Sequence, residues 1–250
     1  MKNKPILVTG GTGYVGGRLI PRLLAAGHTV RAMARSPERL LCRPWGRHPN
    51  IDIVAGDALD RHAFVQAARG CGVAYYLIHS MNAAKGKFAE ADRTAAQNMV
   101  AAAEQNHLER IIYLGGLGEA DHEALSKHLK SRHEVEKILM DASVPITNLR
   151  AAMILGAGSA SFEMLRYLVD RLPVMITPRW VQTPCQPISI RNVLDYLEGA
   201  LLAPDTVGQT LDIGGYEVLT YRDLIQIYAE EAGLRKRLIL PVPVLTPWLS

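Results

Sequence analysis

The stretch from Pro5 to Gly27, PILVTGGTGYVGGRLIPRLLAAG, limits what this chain can fold into more than any other. Ile6, Leu7 and Val8 form a short apolar run, the pattern of a parallel strand buried on both faces. Thr9 and a glycine cluster follow, with Gly10, Gly13 and Gly16 three residues apart. From Tyr14 the apolar residues Val15, Leu19, Leu23 and Leu24 recur at helical spacing, and Gly27 supplies a C-terminal stop. The first glycine permits a tight turn out of the strand. The second lets the backbone come within hydrogen-bonding distance of a pyrophosphate, and the third lets the helix pack closely on the strand. The helix N-terminus adds free N–H groups and the positive end of its dipole. A glycine triplet alone is a weak signal, but a strand before it and a helix and second strand after it are the context the motif requires. The plain alternative is a glycine-rich turn with no ligand.

The second strand, Thr29 to Ala34, alternates as a half-exposed strand would. An acidic side chain at its end would hold the ribose 2′-hydroxyl of NAD, whereas an arginine accommodates the 2′-phosphate of NADP. Ala34, Arg35 and Ser36 stand there, so the expected cofactor is NADP(H) in preference to NAD(H), with Arg35 and Ser36 at the 2′-phosphate. Arg31 is either a second contact or a solvated side chain. A third strand, Ile51 to Ala55, leads into Gly56, Asp57 and Ala58. Asp57 and Ala58 are expected beside adenine; the alternative for Asp57 is a helix N-cap, which Asp60 could also supply.

The fourth strand, Val73 to Ile78, ends at His79, Ser80 and Met81. Ligands of open α/β sheets bind outside the carboxyl ends of the strands, so these residues should face the cofactor. Helices from Phe88 to Gln105 and from Ser126 to Asp141 alternate with strands at Arg110 to Leu114 and Pro145 to Arg150. Six strands alternating with helices predict an α/β fold, a Rossmann-type doubly wound parallel sheet, over residues 1–155. Residues 156–250 change character, with helices at Ser161 to Arg171, at Arg191 to Leu202 and from Thr220, where Asp223 completes a variant capping box. They are expected to form a small C-terminal substrate lobe interleaved with the core, adding to the sheet and covering its carboxyl edge.

A chain of 250 residues with a net charge of +4 has room for a large core and no basic face for nucleic acid. Cys42, Cys71 and Cys185 show neither pairing nor metal spacing, which fits free thiols in a reducing compartment, the cytoplasm. The strand at Pro5 leaves no room for a signal peptide, and no apolar run reaches spanning length. The apolar ending LILPVPVLTPWLS suggests a shortened chain or a segment packed on a partner.

The motifs ILVTGGTGYVGG, GDALD, LRAAMILG, QPISIRNV and IGGYEVLTYRDL resemble those of the extended and atypical short-chain dehydrogenase/reductase superfamily. Within it the chain is most similar to the NmrA-like NADP-binding proteins and to the nucleotide-binding accessory subunit of respiratory complex I. The resemblance runs from Pro5 to Gly233 and implies a further C-terminal domain in many members. It also implies a Tyr-x-x-x-Lys pair on the helix after the fifth strand. This sequence has HLKSRHEVE there, which puts His128 at the tyrosine position and Arg132 at the lysine position. Gly115 or Gly116 replaces the usual serine, and Asp92 stands for an asparagine of the preceding helix.

His128 could act as a general acid or base, against the plain alternative of an exposed helix histidine. Arg132 could bind ribose hydroxyls, but its pKa is too high for proton relay. Backbone donors are expected from Thr12, Gly13, Tyr14 and Val15 in the turn from Gly10 to Gly16, with His79, Ser80 and Arg132 at the nicotinamide end. The histidines His122, His128 and His133 lack the spacing of a metal set. Two functions follow. One is an NADP(H)-binding sensor, assembly or scaffold protein without turnover, working through a protein partner. The other is an NADPH-dependent oxidoreductase acting on a quinone, enone or other apolar carbonyl, with apolar residues around Phe162, Met164, Met175, Ile176 and Trp180 receiving the substrate.

Overall fold

The computed structural model describes residues 4–79, 88–118 and 127–242. In chain order the elements begin with β1 (Ile6–Thr9), α1 (Gly16–Ala25), β2 (Val30–Ala34), α2 (Glu38–Leu41), β3 (Ile51–Ala55), α3 (Arg61–Ala68) and β4 (Val73–Tyr76). Next come α4 (Phe88–Gln105), β5 (Arg110–Gly116), α5 (Lys127–Met140), β6 (Ile146–Ala151), β7 (Ile154–Leu155) and α6 (Ala160–Arg171). The last are β8 (Val174–Pro178), β9 (Pro184–Cys185), β10 (Ile188–Ser189), α7 (Ile190–Leu202), β11 (Thr210–Ile213), β12 (Leu219–Thr220), α8 (Tyr221–Glu231) and β13 (Leu238–Val242). Among the described residues, no helix is long and apolar enough to cross a membrane.

The chain divides into two compact units, Met1–Ala151 with Leu194–Asp212, and Ala152–Val193 with Ile213–Ser250. In the first, seven strands run in the order β11-β6-β5-β4-β1-β2-β3. The pairings of β1 with β2 and β4, β2 with β3, β4 with β5, and β5 with β6 are all parallel. Chain order reverses between β1 and β4, which makes this a doubly wound Rossmann-like sheet.

Alternation along the strands assigns each residue to one of two covered faces. On one, Leu7, Ala74, Ile111 and Ile146 pack with Phe64 of α3, Met99 and Ala102 of α4, and Val135 and Leu139 of α5. Burying each such large side chain stabilises the fold by about 1.5–3 kcal/mol. On the other, the Tyr75 hydroxyl donates to the Leu197 carbonyl of α7 at 2.9 Å. The Arg110 guanidinium donates to the Ala200 and Ala203 carbonyls at the end of the same helix. Arg22 of α1 pairs with Asp195 at 2.7 Å and with Glu198 at 2.8 Å. Residues 194–212 therefore belong to the sheet that the first 151 residues begin.

The expected addition of a later strand to the six of the first half occurs at β11, which joins the sheet beside β6. One expectation changes here. The second strand is not half-exposed: four of the five residues of β2 are buried, since β2 lies between β1 and β3.

The second unit has its own core of Val169, Met175, Val181, Ile225, Ala229 and Ile239. Two-stranded pieces pair β8 with β13 and β7 with β10 in parallel, and β9 with β12 antiparallel. The expected capping box forms at α8: the Thr220 hydroxyl accepts from the Asp223 N–H at 3.1 Å, and Asp223 accepts from the Thr220 N–H at 2.8 Å.

Candidate functional site

The glycine turn follows β1 at the point where strand order reverses. The Thr9 hydroxyl donates to the Tyr75 carbonyl at 3.0 Å, which ties the end of β1 to β4. Gly10 has φ +76°, and a Cβ there would lie 2.4 Å from the Leu77 carbonyl oxygen. A Cβ at Gly16 would lie 2.5 Å from the Gly10 oxygen, so α1 closes directly onto the turn. Val15 at the start of α1 has no side-chain cap. The amides of Thr12, Tyr14 and Val15 have no backbone acceptor among the described residues. Gly13 differs from its expected role, because its N–H is taken up by the Gly10 carbonyl at 2.9 Å and closes the turn. Arg18 lies over the Tyr14 ring, 4.0 Å from its centroid, and holds that side chain against the helix start. A glycine cradle with no room for Cβ atoms and an uncapped helix N-terminus fit a pyrophosphate.

At the other side of the turn, Arg35 and Ser36 follow the last residue of β2, and Arg35 is exposed. Arg31 neither faces the same place nor lies free in solvent. Its Nε pairs with Asp52 at 2.6 Å, and its Nη1 donates to the Arg69 carbonyl at 2.6 Å and the Ala67 carbonyl at 3.3 Å. A cavity of about 350 Å³ lined by Arg31, Asp52, Gln66 and Arg69 contains none of the expected site residues. Of the two acids after β3, Asp60 caps α3, accepting from the Ala63 N–H at 3.1 Å. Asp57 accepts from the Leu59 N–H at 3.0 Å in the loop just before it. Asn98 of α4 donates to the Ala58 carbonyl at 2.8 Å, so it fixes the loop that carries both expected adenine contacts. The sequence reading passed over Asn98. Its signal is a polar residue on the inner face that Ala95, Met99 and Ala102 define.

Past the turn, the carboxyl edge continues through His79 to the end of β5. One ring nitrogen of His79, Nε2, lies 3.2 Å from the Leu114 carbonyl oxygen and donates to it. The other, Nδ1, is sealed from solvent and has no partner. The ring packs beside Tyr113, with centroids 5.9 Å apart. Burial, then the nearby Arg132 charge, push the His79 pKa down to about 4, so the ring is neutral at pH 7. Burial raises the Tyr113 hydroxyl well above its ordinary range, which removes it as a ready proton donor.

Arg132 comes to this edge from α5. A Cβ on Gly116 would be 3.0 Å from Arg132 Cδ and 3.0 Å from Leu129 Cδ2. The neighbouring Ser131 donates its hydroxyl to Asp92 of α4 at 3.0 Å, and both side chains are buried. His128 falls in the first turn of α5, and its side chain lies outside the described residues, as do Ser80, Met81 and His122. Among the described residues there is no group of His, Cys, Asp and Glu that could hold a metal ion.

A family model described as NAD(P)H-binding matches residues 10–164, from the glycine turn into α6. The chain belongs to the NAD(P)H-binding family. This NAD(P)H-binding chain is 28% identical over 224 residues to a (4-alkanoyl-5-oxo-2,5-dihydrofuran-3-yl)methyl phosphate reductase of Streptomyces griseus, covering 87% of this chain and 70% of that one. It is 26% identical over 219 residues to a 4-hydroxy-2-methyl-3-oxo-4-farnesyl-3,4-dihydroquinoline-1-oxide ketoreductase of Stigmatella aurantiaca, covering 79% of this chain and 64% of that one. Among solved structures, the Bordetella bronchiseptica enzyme WbmG in complex with NAD and UDP superposes with a TM-score of 0.76 at 14% identity, covering 98% of this chain and 84% of that one. The family match supports a nicotinamide dinucleotide as the cofactor of this chain, and the superposition shows that its fold is one that holds such a cofactor in WbmG.

Proposed function

We propose that this protein is an NADP(H)-dependent oxidoreductase that reduces a small conjugated carbonyl compound. The observation that carries the reading is the glycine cradle beside the uncapped start of α1, at the reversal between β1 and β4. The free amides of Thr12, Tyr14 and Val15 hold the pyrophosphate, and Gly10, Gly13 and Gly16 give it room. Arg35 and Ser36 receive the 2′-phosphate, a charge-assisted contact of about 1.5–3 kcal/mol. Asp57 and Ala58 border the adenine, with Asn98 holding their loop. His79, Ser80 and Arg132 border the nicotinamide end.

When bound, the nicotinamide supplies a hydride. The residues around it keep water and charge in order. His79 stays neutral and holds the end of β4 against β5 through Leu114. Arg132 puts a permanent positive charge beside that edge, where it stabilises negative charge developing on a substrate oxygen. The proton reaches that oxygen from His128 or from water. The names of two relatives, a reductase of an alkanoyl-dihydrofuranyl methyl phosphate and a ketoreductase of a farnesyl compound, support a carbonyl substrate that carries an apolar chain.

The test is to mix the protein with NADPH and a panel of quinones and enones and to follow absorbance of the reduced nicotinamide. Steady oxidation is expected, slower in His128→Ala if that histidine gives the proton. The ratio of NADPH to NADH affinity should fall at least tenfold in Arg35→Ala; an unchanged ratio would remove Arg35 from the 2′-phosphate. A second reading has its own support in the missing tyrosine and lysine at positions 128 and 132: a dinucleotide-binding sensor or scaffold that performs no turnover. Tight NADPH binding with no oxidation of any acceptor would favour it.

A further inference from the structure

Several arginines of the first unit have partners that explain them, and Arg35, Arg39, Arg43, Arg47, Arg61 and Arg69 stand exposed to solvent. Arg22 pairs with Asp195 and Glu198, Arg31 with Asp52, Arg93 with Glu134, and Arg150 with Asp212. Arg110 is buried against helix-end carbonyls. Arg132 differs. It is only partly exposed, and among the described residues no carboxylate lies within ion-pair distance of its guanidinium. Asp92 of α4 accepts the hydroxyl of Ser131, and Glu136 lies 3.5 Å from His133.

Nor is the side chain directed at random. Ser131 pins the helix backbone to α4, and the stem of Arg132 lies on Gly116 at the end of β5, where even a methyl group would press on it. Its charge bears on His79 of β4 and Tyr113 of β5. The guanidinium thus looks onto the carboxyl edge of the sheet. Beside it, the Nδ1 atom of His79 is sealed from solvent and lacks a hydrogen-bond donor. Among the described residues, then, a partly buried guanidinium without a counter-charge on Gly116 and a buried acceptor without a donor on the ring held by Leu114 and Tyr113 both lie at the end of β5, two vacancies that one ligand could fill.

We propose that Arg132 is the receptor for an anionic group on the substrate, a phosphate monoester or a carboxylate, and that a hydroxyl or N–H of the same bound assembly donates to His79 Nδ1. The planar fork of arginine matches two oxygens of such an anion, which a lysine ammonium at this position would not. Gly116 is part of the receptor, because any larger residue there would displace the arginine stem. The proposal rests on the reductase reading for the word substrate, but its test does not use turnover.

The test is isothermal titration calorimetry of methyl phosphate and of acetate into the protein saturated with NADP⁺, with NADP⁺ affinity measured separately. One of the two probes should bind the wild-type complex at millimolar concentration or below. Arg132→Gln should weaken that binding at least tenfold, and Arg132→Lys by a smaller factor, in each case by more than it weakens NADP⁺, with the circular dichroism unchanged. His79→Gln, which keeps an acceptor, should retain probe binding, and His79→Leu should weaken NADP⁺ or probe binding. No binding of either probe at 20 mM (about a fourfold margin over a 5 mM site), or equal binding in Arg132→Gln, would overturn the proposal. A loss of NADP⁺ affinity in Arg132→Gln as large as the loss of probe affinity would also overturn it, by assigning the arginine to the dinucleotide alone. Failure of the wild-type protein to bind NADP⁺ at all would instead sink the oxidoreductase reading.

Discussion

A single methyl group added at Gly10 would meet the Leu77 carbonyl oxygen at 2.4 Å and would force a side-chain residue to hold φ +76°. Neither obstacle can relax, since the neighbour is backbone and the conformation belongs to the turn. Gly10→Ala should lower the stability by at least about 1–2 kcal/mol and weaken NADPH binding more than tenfold, measured by denaturant unfolding and calorimetry. His79 gives a second residue-scale expectation. Its pKa of about 4 in the folded chain lies below the ordinary value of 6.5, so the unfolded chain binds the extra proton first. Stability should therefore fall as pH drops from about 6.5 toward 4, by up to about 3 kcal/mol from this residue. Arg132 of α5 and Asp92 of α4 act on the same ring in opposite senses, so the slope belongs to the difference between wild type and His79→Gln, which should lose it. Equal pH slopes in the two proteins would remove His79 as the cause.

At the scale of elements, the seam between β5 and α5 is where this chain departs most from the dehydrogenases it resembles. The small residue at 116 makes room for the long one at 132, since a Cβ at 116 would lie 3.0 Å from Arg132 Cδ, so the two positions are coupled. Gly116→Ser should therefore restore no catalytic hydroxyl and should cost about 1–2 kcal/mol by overpacking. In an Arg132→Ala background the same substitution should cost about 0.5–1 kcal/mol less, a coupling that a double-mutant cycle of denaturant unfolding would read. Helix α4 was legible through to its end at Gln105, because its residues carry a sustained 3.6 period. The destination of Arg31 was not. Alternation says which face of β2 it leaves, but its long side chain then runs to Asp52 and to carbonyls 36 and 38 residues away. The choice between Asp57 and Asp60 as helix cap was equally hidden, since both precede α3 closely and only the chain path between them decides.

At the scale of the molecule, the strand and helix periods of the first 151 residues carried the parallel sheet, and the glycine turn located its binding edge. The return of part of the C-terminal half to that sheet was expected, but its bounds, 194–212, could not be read, because α7 and β11 look like any late helix and strand until Tyr75 and Arg110 are seen to need them. A fragment ending at 155 would leave the Tyr75 hydroxyl and the Arg110 guanidinium without their acceptors and would uncover one face of the sheet. It is expected to give broad, non-cooperative melting and no NADPH binding, whereas the 250-residue chain melts cooperatively and binds. A fragment 1–155 that bound NADPH with full affinity would show that α7 and β11 are dispensable.

That return has a consequence for the order in which the molecule is made. A ribosome releases the glycine turn first and the helix that shelters the sheet some 180 residues later (Gly10 against α7 at Ile190–Leu202). At about 5–20 residues per second the nascent sheet stands half-covered for roughly 10–40 seconds. During that interval chaperones have one face of it to guard.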